Sequence, residues 1–349
     1  MPRIASQPAS GLAGLIVVLP LTVAIVLAAG DRETALRVAG PIVTFGLPFL
    51  LMIAFWWDDW PGTLLPGRWP ALTDTLATAA AAFVCTILGQ AVVDRVDPAA
   101  LVDPFPGAGH TATFPGTLPL AAGVAAAMLQ LTLVYQGRPV RGLPKAVAGP
   151  AALAGCWIVG VAAYLLLVRG GAVDGASYGA WLAVLGVWQV VPYSTLRGWP
   201  MARVRRRHLA GNLFVLGGAT VSYALVRLVA EPPRIAAVCG CVVATGLVVG
   251  LLLGSWPLDS LPPVAGRLAA LGLVAALSAL LYGLLRAGAL GYSWRPGAST
   301  DDWVNFVAAS ALGPAIILHV AVWRRWPFHL GGQKETAWRG DRNRALDGN

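Results

Sequence analysis

The chain has 349 residues, 57% of them hydrophobic and only 12% charged, with a formal net charge of +9 and a mean hydropathy of +0.69. A soluble domain carries about 25% charged residues, so an ordinary soluble fold is excluded and an all-α integral membrane protein is expected. A bilayer core of about 30 Å needs about 20 apolar residues per helical crossing, and ten segments approach that length.

The predicted spans are 11–29, 38–57, 72–93, 116–136, 147–168, 178–196, 211–229, 235–255, 265–286 and 303–323. The alternating short strands of a β-barrel are absent. The first segment has an apolar run longer than the core of a signal peptide, so it reads as a retained helix. Residues 1–330 form one transmembrane domain, and 331–349 form a polar, basic tail too poor in apolar residues to order itself without a partner.

A Trp-Pro step returns at the ends of hydrophobic segments: Trp60-Pro61, Trp199-Pro200, Trp256-Pro257 and Trp326-Pro327. Counting Trp69-Pro70 there are five, where chance gives about one. Three even-numbered helices are followed by Pro-x-x-x-Leu-Pro, at Pro61 to Pro66, Pro139 to Pro144 and Pro257 to Pro262. The second and tenth helices also match upstream, with Trp57 and Trp60 answering Trp323 and Trp326, and Pro48 answering Pro314. The pattern predicts five tandem helical hairpins, all pointing the same way. Proline stops each helix and favours the first turn of the next, and tryptophan seats the turn at the membrane interface.

Ten spans place both termini on the side that holds the Trp-Pro steps. That side carries 17 of the 25 basic residues, which makes it cytoplasmic by the positive-inside rule and the host membrane the inner (plasma) membrane. The net charge is thereby a topology signal spread over separate loops, and no nucleic-acid partner is expected. The layout resembles drug/metabolite transporter-type permeases in helix count and orientation only, and no motif of that family occurs. Parallel hairpins also differ from the inverted repeats of many carriers.

Candidate site residues are few, because a charge at the bilayer centre costs at least about 2.5 kcal/mol. His319 is the one histidine well inside a predicted helix, and it departs from the repeat, where its counterpart is Ile53. Asp74 stands near the start of the third helix, where the helix dipole favours it. Gln130, Gln189 and Tyr223 are neutral polar groups inside helices, suited either to interhelical bonding or to lining a substrate path.

On the cytoplasmic face Arg203, Arg205, Arg206 and Arg207 form the densest basic cluster, fit for lipid headgroups or a partner protein. A membrane b-type haem on two histidines is disfavoured, because His110, His208 and His329 fall in loops or the tail. The outer loop from Asp94 to Thr113, with Asp97, Asp103 and His110, matches no metal-ligand spacing, so no metal and no cofactor are expected. Cys85, Cys156, Cys239 and Cys241 lie within predicted helices and should be unpaired. Walker, dinucleotide, nucleophile-elbow and zinc motifs are missing.

These features rank a transport or channel component for a neutral or lipid-like molecule first. A non-catalytic membrane subunit that docks a partner comes second. An enzyme acting on a lipid or isoprenoid comes third, with His319 and Asp74 as its acid-base pair.

Overall fold

The computed structural model describes residues 7–57, 59–66, 69–140, 142–204 and 206–327; Arg205, His329 and the 331–349 tail lie outside them. Backbone in hydrocarbon must satisfy its own N–H and C=O groups, which an apolar chain does by coiling into helices. The protein is accordingly all-helical, with 75% helix and no strand among the described residues.

Among the described residues ten long helices follow one another: α1 (Ala9–Leu27), α2 (Arg32–Phe55), α3 (Trp69–Val93), α4 (Leu118–Val134), α5 (Lys145–Arg169), α6 (175–195), α7 (Arg207–Val226), α8 (Pro232–Leu252), α9 (Pro263–Gly288) and α10 (Thr300–Val322). Eight of them are long and apolar enough to cross a membrane; α4 is shorter, and α6 has the length but more Gly, Tyr and Ser. Starts are set by local chemistry. Asp31 accepts the Glu33 and Thr34 amides ahead of α2, Asp174 accepts that of Ser177, Ser299 accepts that of Asp302, and prolines open α8 and α9. The helices begin within a few residues of the predicted spans except α2, which starts six residues early because its Glu33 and Arg37 neutralise each other at 2.6 Å.

Even and odd helices differ in depth. The most apolar stretch of α10 is 78% buried and those of α8 and α2 are 61% and 56%, against 17% for α7 and α9. The inner helices run in a closed ring: α2 against α4, α4 against α6, α6 against α8, α8 against α10, and α10 back against α2. Phe45, Leu50, Met52, Leu120, Met128, Leu252 and Ile316 fill their contacts. Each outer helix lies beside the inner helix before it, α3 on α2, α5 on α4, α7 on α6 and α9 on α8, and α1 takes the same place beside α10. Outer faces expose Ile158, Leu166, Leu213, Leu268 and Leu284, as a surface meant for lipid does. Small residues let the layers approach: the Phe45 ring rests on Gly89, where a Cβ would lie within 2.1 Å of it.

The inner helices all end in the same turn. The amide four residues before each turn proline reaches five residues back, as in Trp57 to Met52, Tyr135 to Gln130, Leu196 to Val191, Leu253 to Val248 and Trp323 to Leu318. Two residues later the amide reaches six back, from Asp59, Gly137, Gly198, Ser255 and Arg325 to Ile53, Leu131, Pro192, Val249 and His319. The chain reverses there through left-handed residues, Gln136-Gly137, Arg197-Gly198, Gly254-Ser255, Arg324-Arg325 and Asp59. This is a left-handed C-cap one residue wider than usual, and each non-glycine member costs about 1–2 kcal/mol.

Side chains tie the turns together. Arg197 forks onto Asp259 at 2.6 and 2.7 Å, Arg324 reaches Asp59, and Arg325 donates to the Leu251 and Leu252 carbonyls that end α8. Trp60, Trp199, Trp256 and Trp326 are each more than a third exposed at this one end of the molecule.

Candidate functional site

Three facing stripes of polar residues meet between α4, α6 and α7. The spacing of three or four residues puts Ala126, Gln130 and Val134 on one side of α4, Gln189 and Tyr193 on one side of α6, and His208, Gly211 and Asn212 on one side of α7. Gln189 is wholly buried. Its amide donates to the Ala126 carbonyl at 3.0 Å and to Gln130 Oε1 at 2.8 Å. Gln130 in turn donates to Asn212 Oδ1 at 2.7 Å, and Asn212 donates to the His208 carbonyl. His208 Nδ1 lies 3.2 Å from the Val134 carbonyl, which makes it the donor nitrogen.

This chain leaves capacity unused. Gln189 Oε1, Tyr193 Oη and His208 Nε2 are buried without a hydrogen-bond partner. Each such group costs about 1–3 kcal/mol, a cost that water or a polar ligand would relieve. With Nδ1 donating, the neutral imidazole offers Nε2 as an acceptor, Gln189 offers a second acceptor, and Tyr193 offers a hydroxyl. No formal charge enters the set. Gly211 admits the Tyr193 hydroxyl: a Cβ there would fall 2.3 Å from Tyr193 Oη. Tyr193 lies within a π-helical turn, Val191–Thr195, of the kind that also ends α4, α8 and α10.

Of the sequence candidates, Gln130 and Gln189 are thus brought together, and the others stand elsewhere. Tyr223 lies toward the far end of α7, half-buried against the same apolar cluster that takes in Ala126, Val134 and Tyr193, and makes no hydrogen bond to the chain of polar groups among the described residues. Asp74 is wholly buried and accepts the Gly62 amide at 2.8 Å, holding the turn between α2 and α3, while its Oδ2 has no partner. His319 is 1% exposed and rests on Gly14 of α1, with Nδ1 unpartnered. Among the described residues no hydrogen bond joins His319 to Asp74. Arg203 and Arg206 are exposed at the turn end, and Arg207 opens α7.

Sequence reading missed Asn212, His208 and Gly211 as members of this site. A signal existed: polar residues on α7 recur four apart, at His208 and Asn212, opposite glutamines four residues before the ends of α4 and six before the end of α6. Gln90, by contrast, is a staple for the loop between α3 and α4, pairing with Asp97 main chain and with Thr113 Oγ1. In that loop His110 Nδ1 lies 2.9 Å from Asp97, so carboxylate and imidazole serve each other.

The chain matches no protein-family model, no curated protein and no solved structure.

Proposed function

We propose that this is a ten-span protein of the inner (plasma) membrane, with both termini cytoplasmic and five tandem hairpins, and that it is a transport or channel component for a neutral molecule. The three unpartnered polar atoms between α4, α6 and α7 carry this reading. They offer both acceptors and a hydroxyl to a solute that must shed water. The test is osmotic. Proteoliposomes placed in gradients of glycerol, urea and erythritol should recover volume faster than protein-free vesicles for at least one solute. Gln189→Leu and Tyr193→Phe should abolish that gain; equal permeability with and without protein rejects the reading.

A second reading, a membrane subunit that docks a protein partner, is favoured by the exposure of Arg203 and Arg206 at the turn end. It expects a stoichiometric partner to copurify in mild detergent and to be lost when Arg203, Arg205, Arg206 and Arg207 are neutralised.

A further inference from the structure

A second site stands at the end of the molecule opposite the turns. The start of α2, the loop between α3 and α4, and the loop between α9 and α10 enclose a pocket of about 350 Å³ lined by Asp31, Glu33, Phe105, Tyr292, Ser293 and Arg295 among others. That volume falls within the range of small-molecule sites.

Its walls are held from below. Glu33 and Arg37, both more than nine-tenths buried, pair at 2.6 Å; Glu33 also accepts the Arg295 amide, and Arg37 donates to the Arg295 and Pro296 carbonyls. The two acids are therefore engaged, since Asp31 spends both oxygens on Glu33 and Thr34. Two guanidinium groups are not. The Arg295 guanidinium carbon stands over Phe105, 4.0 Å from the ring centroid, and that of Arg32 stands over Tyr292 and Trp303 at 5.3 and 5.8 Å. Neither has a carboxylate or hydrogen-bond partner for its side chain among the described residues. Contact with a ring face holds a guanidinium without using its N–H groups, which can receive a carboxylate or phosphate through two parallel hydrogen bonds.

We propose that this pocket binds an anion of carboxylate or phosphate type, with Arg295 of its lining as the clamp and Arg32, which lies over the lining residue Tyr292, as a second cation beside it. The site is independent of the α4, α6 and α7 seam, so either proposal can fail alone.

Full-length protein in detergent, titrated with phenyl phosphate and with benzoate and followed by tryptophan fluorescence, should show saturable binding. The double variant Arg32→Gln with Arg295→Gln should weaken it about tenfold or more, while Arg295→Lys should weaken it less and Arg267→Gln, at the other end, should not change it. Unfolding midpoints identify any variant that fails to fold, and in that case Arg295→Lys alone gives the comparison. Competition by phosphatidylglycerol but not phosphatidylcholine in nanodiscs assigns the anion to a lipid headgroup; its absence assigns it to a soluble ligand. No binding at millimolar concentration, or binding untouched by the double variant, overturns the proposal.

Discussion

Arg324 reaches across the turn end to Asp59, with Nε and Nη2 at 2.7 and 2.6 Å from the same carboxylate oxygen. The contact joins the last inner helix to the first. It lies where the ring of inner helices has no covalent continuity, and Asp59 is only 6% exposed. Asp59→Asn should therefore destabilise the protein by about 1–3 kcal/mol, the cost of a compromised buried hydrogen-bonding group. Asp259→Asn removes the exposed Arg197 pair and should cost less than about 1 kcal/mol. Unfolding in detergent compares the two, and equal effects would contradict this ranking.

The Glu33 and Arg37 pair should behave as a unit. Arg37→Met leaves a buried carboxylate with the Arg295 amide as its main remaining donor, and should cost about 3–5 kcal/mol. Glu33→Gln combined with Arg37→Met should cost less than the sum of the single changes. An additive double-mutant cycle would show that the two residues act separately.

Gly211→Ala drives a methyl group into Tyr193 Oη. A loss of about 1–3 kcal/mol is expected from such overpacking. Tyr193→Phe removes the obstructing oxygen and should restore most of it, which unfolding of the two single variants and the double variant measures.

The loop between α3 and α4 should resist acid until Asp97 is protonated. His110, followed by the Thr111 amide, holds the Asp97 carboxyl below its ordinary value of 3.8. A depressed value in the folded state means that the stabilisation is present above 3.8 and is lost as pH falls through the lower folded value. Amide exchange at Thr111 should therefore stay protected through mildly acidic pH, after correction for intrinsic rates. Asp97→Asn should lower that protection and flatten its pH dependence.

Much of the architecture is legible in the amino-acid order, because it depends on local chemistry. A run of Leu, Val and Ala must coil in lipid, and the Trp-Pro steps coincide with four of the turns that end the inner helices. The fifth, at Arg138-Pro139, was legible only through the Pro-x-x-x-Leu-Pro spacing. The division into inner and outer helices is not legible. Apolar residues surround every helix, so no periodicity separates a face bound for lipid from one bound for protein. Burial of Glu33 and Arg37 was missed for a related reason. Charges beside Asp31 read as the rim of a span, whereas an acid and a base four apart can enter it together. Gln130 and Gln189 were visible as polar, but their meeting, and their link to Asn212, depends on which helices are neighbours in the ring.

The placement of α1 has a topological consequence. It stands to α10 as α3 stands to α2, so one hairpin is assembled without a connecting peptide at its turn. Cutting another turn and bridging α10 to α1 should give a circular permutant with the same neighbours throughout. Folding of such a permutant, read from its unfolding midpoint in detergent, would separate the order of the helices along the chain from their order around the ring.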